Sequence, residues 1–448
     1  MNRLDFLKYT VGSLLVPSVL QAGNTFRASS LHEEDFKKNE MGKAHYWNKN
    51  TRLTIAMWDF SWLSDQGKGG SYENIERRVE EAALRGYNTL RVDCFPSRLL
   101  QKETSFHYDE FGGYNIIPGW GKVTTDFSCN ALEKLKQLAD ACRKHHIWLG
   151  LDSWEKDKMI RYGTFPDFDY KDIIPEAKEE KVFRDFSHTW VKAIRRMREE
   201  GILERAVWIA PMNEVPHFAT RNLESIRRIS EHDKNEGSVQ FDKNRLMDDR
   251  LRQINHWMAE EIKSEIDREK IPLSYSSLGS EDYANRLTDL YDVADVHFMP
   301  PVICDSEDTK QFDAIAKGSA IGRRFSDFEK IDLKRWSEVW DQVCRRHYWE
   351  MLRRTRQYML ESLQHMTLPS GKKLQAVVTE PYGPCYWPDH KDVSWTWYKY
   401  YNADSARITA SLPFEGVSLS NYGEPLFSLW EDEDWHRNAN LFTLTALE

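Results

Sequence analysis

The sequence predicts an α/β fold in which eight strands close into a (β/α)8, or TIM, barrel, as a single domain with long loops after its strands. Two observations predict this fold. Short apolar runs alternate with helical patterns from residue 52 to about residue 421, and polar side chains gather where the apolar runs end. A barrel builds its site from such strand ends.

Eight short apolar runs are the predicted strands. They are Leu53–Asp59, Thr89–Phe95, Ile147–Trp154, Ala206–Glu214, Pro272–Ser277, Ala294–Met299, Leu374–Glu380 and Gly416–Asn421. Between the runs, apolar residues recur at intervals of three and four, which predicts amphipathic helices. These stretches are Tyr72–Arg85, Ala131–His145, Val182–Glu200, Arg245–Ile266 and Trp336–Gln364. Residues 430–448 are interpreted as a short polar and aromatic tail of the catalytic domain, which spans residues 51–448.

A doubly wound sheet is the alternative fold, and it predicts a phosphate-binding turn after the first strand. The segment Asp65–Ser71 is rich in glycine but matches neither the dinucleotide fingerprint nor the P-loop spacing. Long connections follow strands two, three, four and six, on the side where a barrel builds its cleft. The barrel is therefore favoured.

The amino-acid composition limits the classes of ligand and partner that this protein is expected to bind. The 448 residues carry 62 basic and 71 acidic side chains, a formal charge of −9 without a basic stripe, which argues against a nucleic-acid partner. The 17 Trp, 19 Tyr and 21 Phe include faces that could stack on sugar rings, although most are expected in the core. The six cysteines show no zinc spacing, so no metal or cofactor is predicted and any disulfide pairing stays open. Oligomeric state stays open too.

The first 22 residues have the order of an export signal: a short basic start, an apolar stretch from Tyr9 to Leu20, and the small residue Ala22 at a cleavage point. Export by the general or the twin-arginine route remains open, because Leu4 stands where a second arginine would lie. Residues 23–50 are polar and irregular. The sequence thus predicts a periplasmic or secreted protein that keeps no membrane anchor once the signal is removed.

Polar and aromatic residues mark the strand ends and the loop after strand seven. They are Trp58, Asp59, Arg91, Asp93, Asp152, Trp154, Asn213, Glu214, His297, Glu380, Tyr382, Trp387 and Asn421. Charged groups that point into a barrel mouth must pair with each other, because an isolated buried charge is costly. Some of them could therefore be ion pairs that only close the barrel.

Glu214 and Glu380 are the predicted catalytic pair. Retaining glycosidases need one carboxylic acid to protonate the leaving oxygen and one carboxylate about 5 Å away to attack the sugar. A nearby arginine such as Arg91 lowers the pKa of the nucleophile, whereas a neighbouring anion and burial raise the pKa of the acid.

Together these motifs resemble the clan A retaining glycoside hydrolases, the cellulase-like barrels in which Asn-Glu ends strand four and Glu ends strand seven. The resemblance covers roughly residues 50–425. It implies that Glu214 is the acid/base and Glu380 the nucleophile, with a carbohydrate as substrate. It also implies support from other strand ends, namely Asn213 at the sugar 2-hydroxyl, Arg91 beside Glu380, and His297 in the same subsite.

Three positions depart from the cellulase pattern. Met299 stands where a tyrosine is expected, strand three ends in Asp152-Ser153-Trp154 without a histidine, and strand eight ends in Asn421-Tyr422 without a tryptophan. These departures indicate a glycan other than cellulose, or a barrel that binds sugar without cleaving it. A metal-dependent hydrolase is a third hypothesis, but paired-histidine spacing is absent from the sequence.

Overall fold

The computed structural model describes residues 52–109, 119–154, 173–215, 223–232, 243–278, 283–298, 306–316, 331–382 and 387–446. The expected export segment, the segment 23–50 and position Met299 lie outside these residues.

Each of the eight predicted runs overlaps a strand of one parallel sheet, and a short antiparallel pair adds two further strands. In chain order the described strands are β1 Leu53–Asp59, β2 Thr89–Asp93, β3 Thr104–Phe106, β4 Phe127–Cys129, β5 Trp148–Asp152, β6 Ala206–Ile209, β7 Ser274–Leu278, β8 Val293–His297, β9 Gln375–Glu380 and β10 Gly416–Ser418. The pair β3–β4 lies in the long connection after β2, where the sequence predicted only a loop.

The parallel sheet closes into a barrel. Its hydrogen-bonded order is β6-β5-β2-β1-β10-β9-β8-β7, and all seven pairings are parallel. The two end strands meet through a parallel bridge between Ile209 and Leu273, where Ile209 N–H donates to the Pro272 carbonyl at 3.0 Å. The predicted (β/α)8 barrel is confirmed, and the doubly wound alternative is wrong.

Helices connect the strands, and each of the five predicted amphipathic stretches overlaps one, although three of these helices begin before the predicted residue. The described helices are α1 Ser61–Ser64, α2 Ile75–Leu84, α3 Ala131–Lys144, α4 Glu176–Glu199, α5 Glu224–His232, α6 Lys243–Ile266, α7 Tyr283–Arg286, α8 Ser306–Ala316, α9 Leu333–Gln364, α10 Thr396–Ala410 and α11 Glu433–Thr445. Asn74 and Asn130 cap α2 and α3 by accepting N–H groups of the first turn, which explains where these helices begin. No described helix has both the length and the apolar composition needed to cross a membrane.

The carboxyl-terminal segment is more ordered than the sequence interpretation suggested. Residues 430–448 were expected to form a tail, but α11 occupies most of this segment and packs against α10 and β1. Asp432 caps the helix by accepting the N–H of Trp435 at 3.1 Å. His436 and Asn440 on its inner face are fully buried. The polar composition of the helix hid an inner face whose polar atoms bond to Arg85 and Tyr87, between α2 and β2, and to the Leu429 carbonyl.

The barrel interior changes from apolar to charged along its axis. Side chains of one strand alternate between the two faces, so residues two apart line the same face. On β5 this inner row reads Trp148, Gly150 and Asp152, and on β8 it reads Val293, Asp295 and His297. The carboxyl ends of the strands therefore carry the polar side chains, where a barrel has its active site.

Candidate active site

Arg91 lies at the centre of the polar end of the barrel and has no exposed surface. Its Nε donates to Asp152 Oδ2 at 2.9 Å, and its Nη1 donates to Asp59 Oδ1 at 2.8 Å and to Glu380 Oε1 at 3.1 Å. Its Nη2 donates to Asn213 Oδ1 at 2.5 Å. One planar guanidinium thus connects β1, β5, β9 and the segment after β6, and fixes the side chains of these segments relative to one another.

Asn213 provides a second donor to Glu380. Its Nδ2 lies 3.1 Å from Glu380 Oε1, the oxygen that also accepts from Arg91. The orientation of the amide is set on its other side, because Ser276 Oγ donates to Asn213 Oδ1 at 2.5 Å. The carboxylate of Glu380 is therefore held by two fixed donors at one oxygen.

Glu214 and Glu380 both lie beside one ring nitrogen of His297. The Nδ1 of His297 lies 3.2 Å from Glu214 Oε1 and 3.5 Å from Glu380 Oε2. A carboxylate oxygen of Glu214, one of Glu380 and a ring nitrogen of His297 all lie within 4.8 Å of one another. One oxygen of each glutamate therefore lies within 4.8 Å of the other, which is compatible with carboxyl groups about 5 Å apart, the spacing that direct attack on a sugar requires.

Backbone strain is concentrated at the strand ends. Among the described residues other than glycine, positive φ occurs at six positions, and four of them lie at or just after the carboxyl ends of barrel strands: Asp59 (36°), Phe95 (50°), Glu214 (51°) and Tyr382 (22°). Such a conformation costs about 1–3 kcal/mol per residue and persists where surrounding contacts impose it. The bends turn the chain at the point where it places Asp59 and Glu214 in the cluster.

Burial dominates the electrostatics of the site. Burial raises the pKa of Glu380 above its usual value, and the nearby Glu214 raises it further, while His297, Arg91 and Asn213 lower it. The predicted effect of Arg91 is present, since its charge lowers the pKa of Glu380, but loss of water outweighs it and the net shift is upward. For His297, burial lowers the pKa but the carboxylates of Glu380 and Asp295 more than compensate, to about 10.

Asp59 and Asp152 are the other two carboxylates that accept hydrogen bonds from Arg91. Burial raises the pKa of both carboxyl groups, and the charge of Arg91 opposes this rise. Asp59 Oδ2 also accepts the indole N–H of Trp154 at 3.1 Å. The structure thus brings together eight predicted site residues: Asp59, Arg91, Asp152, Trp154, Asn213, Glu214, His297 and Glu380.

Four predicted residues lie outside this hydrogen-bonded cluster. Trp58 packs against Tyr72 and Trp430 with ring centroids 5.2 and 6.3 Å away, because it alternates with Asp59 along β1 and faces the other way. The hydroxyl of Tyr382 bonds to Thr409 on α10. Trp387 and Asn421 are the other two.

Trp387 belongs to a cluster of aromatic rings. Its ring centroid lies 4.6 Å from that of Trp336 and 5.0 Å from that of Trp397, and it has no exposed surface. Asn421 is also buried and makes no described contact with either glutamate; its Oδ1 has no hydrogen-bond partner. The structure therefore places Trp387 in packing, and leaves Asn421 with an unsatisfied acceptor near the end of β10.

Sequence reasoning missed Ser276, Asp295 and Thr379. Thr379 Oγ1 donates to Asp295 Oδ1 at 2.8 Å, and Ser276 Oγ lies 3.1 Å from His297 Nε2. The two-residue alternation along β8 would have found Asp295, since it shares a face with His297. Ser276 and Thr379 carried no comparable signal, because small hydroxyl residues are common in buried strands.

Glu214, His297 and Glu380 also form a set that could, by distance alone, hold a metal ion. The guanidinium of Arg91 lies 3.1 Å from Glu380 and already supplies a positive charge to the carboxylate that a cation would bind. His297 bridges the two glutamates with the ring nitrogen that a metal would need. The three side chains are therefore paired with one another and with Arg91 in a way that leaves less need for a cation.

Comparison with known proteins gives a family match over most of the chain. A family model described as "Cellulase-like: Sugar-binding cellulase-like" matches residues 55–443. No curated protein matches the sequence.

Solved structures share the fold at low sequence identity. A proposed glycoside hydrolase from Parabacteroides distasonis is 18% identical, with a TM-score of 0.59 over 88% of this chain and 94% of the other. A glycoside hydrolase family 5 enzyme from Prevotella bryantii is 9% identical, with a TM-score of 0.47 over 87% of this chain and 96% of the other. At such identities the first similarity supports the barrel fold alone.

Proposed function

We propose that this chain, which belongs to the sugar-binding cellulase-like family, is a retaining glycoside hydrolase that cleaves O-glycosidic bonds of an oligo- or polysaccharide. Glu214 is the general acid/base and Glu380 is the nucleophile. The observation that carries the proposal is the approach of the two carboxylates to within 4.8 Å, with His297 between them and Arg91 against Glu380.

The first step forms a glycosyl-enzyme. Glu214 gives its proton to the glycosidic oxygen, the bond from that oxygen to the anomeric carbon breaks, and a Glu380 oxygen bonds to the anomeric carbon. Arg91 and Asn213 orient the nucleophile at Oε1, which reduces the reorganisation required before attack.

The second step releases the sugar. Glu380 is now an ester without charge, so Glu214 is a carboxylate beside a neutral group and can take a proton from water. The water oxygen bonds to the anomeric carbon, and Glu380 leaves as a carboxylate. Two displacements at the same carbon retain its configuration.

Turnover of aryl glycosides and of plant and host glycans tests the proposal. We expect wild-type protein to cleave at least one of them with or without chelator, and NMR to show a first-formed product of retained configuration. Inverted product would reject the mechanism, and activity lost with chelator would favour a metal-dependent hydrolase. Glycan binding without turnover would favour the non-catalytic sugar-binding barrel.

Substitution of each glutamate tests the residue roles. Glu214→Ala is expected to lower kcat by about 100- to 10,000-fold, the range of general acid–base catalysis. Glu380→Ala is expected to be folded and nearly inert, and azide is expected to restore turnover with inverted product. Glu350→Ala is a matched control, because Glu350 lies on α9 and pairs with Arg353 on the surface. Full activity in Glu380→Ala would contradict the assignment.

A further inference from the structure

Both ring nitrogens of His297 face carboxylates. Its Nδ1 lies 3.2 Å from Glu214 Oε1 and 3.5 Å from Glu380 Oε2, and its Nε2 lies 3.4 Å from Asp295 Oδ2. A neutral imidazole has one N–H and one lone pair, so it would turn that lone pair either towards Asp295 or towards Glu380 and, whenever Glu214 is ionised, Glu214. Only the imidazolium donates on both sides.

Asp295 is itself fixed in place. It has no exposed surface, and Thr379 donates to it through Oγ1 at 2.8 and 2.7 Å and through its backbone N–H at 3.2 Å. Arg91 Nε lies 3.9 Å from Asp295 Oδ2. Thr379 directly precedes Glu380 on β9. The residue that donates to Asp295 therefore lies on the same strand as the proposed nucleophile.

We propose that Asp295 is a positioning residue that holds His297 as an imidazolium between Glu214 and Glu380. This inference rests on the proposed retaining hydrolysis for its effect on rate. Its effect falls mainly on the second step, in which Glu380 is a neutral ester and Glu214 must be an anion to accept the proton of water. An imidazolium 3.2 Å from Glu214 stabilises that anion.

The described neighbours of His297 agree with this charge. Glu214 follows β6, Glu380 and Thr379 lie on β9, and Ser276 lies on β7, while Asp295 shares β8 with His297. Three of these five neighbours are carboxylates. From outside the barrel strands, the described neighbour of His297 is neutral, since Tyr358 of α9 donates its hydroxyl to the His297 carbonyl at 3.3 Å. Arg91 of β2 is a positive charge in the same cluster, and it pairs with Asp295 and Glu380.

Nitrogen NMR of the imidazole tests the proposal without depending on activity. We expect His297 in the wild-type protein to carry protons on both nitrogens at pH 7. In Asp295→Asn we expect loss of one proton at a pH lower by about 1–3 units, the effect of removing an adjacent opposite charge. Identical titrations would overturn the proposal. So would a single N–H on wild-type His297 at pH 7, even if the variant does not fold.

Asp292→Asn is the matched control. Asp292 directly precedes β8 and pairs with Lys263 and Lys372 at the opposite end of the barrel. This variant removes one carboxylate from the same chain segment but leaves the surroundings of His297 intact. We therefore expect its His297 titration to equal that of the wild type.

Burst kinetics with an aryl glycoside that the wild type cleaves test the effect on rate. We expect Asp295→Asn to release the phenol in a rapid burst. Its steady-state rate should then be about tenfold or more below that of the wild type, since one pKa unit corresponds to a factor of ten. Equal slowing of the burst and of the steady state would reject the assignment to the second step. If the wild type cleaves no glycoside, the proposed hydrolysis fails, while the NMR titration still decides the role of Asp295.

Discussion

At the scale of single residues, Arg91 determines how the site is arranged. Its fork contacts carboxylates on three strands and the amide of Asn213, and a lysine could not reproduce this geometry because its ammonium is a single point of charge. The sequence identified Arg91 from its place on the second strand. The number of its partners became visible only when the barrel closed around it.

Arg91→Lys is expected to move the acidic limb of the pH profile of kcat/KM to higher pH. Arg91 lowers the pKa of Glu380, so weakening this contact raises that pKa. Glu380 attacks only when it is ionised. On acidification the variant therefore loses activity at a higher pH than the wild type does.

Arg52→Lys is the control for this prediction. Arg52 is also buried, but it donates to the carbonyls of Leu412 and Phe414 before β10. We expect this variant to lose stability without any shift of the pH profile. An unchanged acidic limb in folded Arg91→Lys would mean that Arg91 serves only to close the barrel.

At the scale of secondary-structure elements, the register of β5 against β6 depends on a glycine. A Cβ added to Gly150 would lie 2.2 Å from Cζ2 of the Trp208 indole. The small residue on β5 thus makes room for the large one on β6 inside the barrel. The sequence showed a glycine within an apolar run, but could not show which ring it faces.

Gly150→Ala is expected to lower the free energy of unfolding by about 1–3 kcal/mol or more, because the added methyl group must displace a packed ring. Urea unfolding measures the loss. In a Trp208→Phe background the same substitution should cost less, since the smaller ring leaves space. An equal cost in both backgrounds would show that the two residues do not compete for this volume.

The helix α11 is the element that the sequence interpretation described wrongly, and His436 shows how it is held. His436 Nδ1 lies 2.8 Å from the Tyr87 hydroxyl, and Nε2 lies 3.0 Å from the Leu429 carbonyl. Burial lowers the pKa of His436 to about 3. The folded protein therefore keeps this imidazole neutral in mildly acidic solution, where the unfolded chain binds a proton.

His436 is expected to make the protein less stable as pH falls. Its stabilising effect is fully present above its unfolded pKa, near 6.5, and declines as pH falls from there towards the folded value. Between pH 7.5 and pH 5 the free energy of unfolding should drop by about 2 kcal/mol on this account. Urea unfolding of wild type and His436→Gln at both values measures the effect. The variant should show a smaller drop, and an equal drop would exclude His436 as its source.

At the scale of the whole molecule, the barrel interior holds apolar packing at one end of its axis and the charged cluster at the other. Apolar side chains such as Ile55, Trp148 and Val377 fill the end where the strands begin, and the charged cluster occupies the end where they finish. A barrel is closed around its axis, so side chains from strands far apart in sequence converge at one mouth. Glu214 and Glu380 are an example of this convergence.

We propose that the protein is exported, and expect its mature form to begin near Gly23. The reason is the order of basic, apolar and small residues in the first 22 positions. Intact-mass analysis of the protein from its native host and compartment measures the start. A mature protein that still begins at Met1 would contradict the proposal.

Although the strand predicted to end at Glu214 ends at Ile209, the sequence by itself determined the eight strands, the five long amphipathic helices and the position of Glu380 at a strand end. These features follow from hydrophobic period and from local order, which a linear chain records. The tertiary structure alone decided that Trp58 packs outward while Asp59 points to Arg91, that α11 docks on the barrel, and that Asp295 lies 3.4 Å from His297. Contacts of this kind depend on which strands become neighbours and on how much water their side chains lose, and both arise only when the barrel closes.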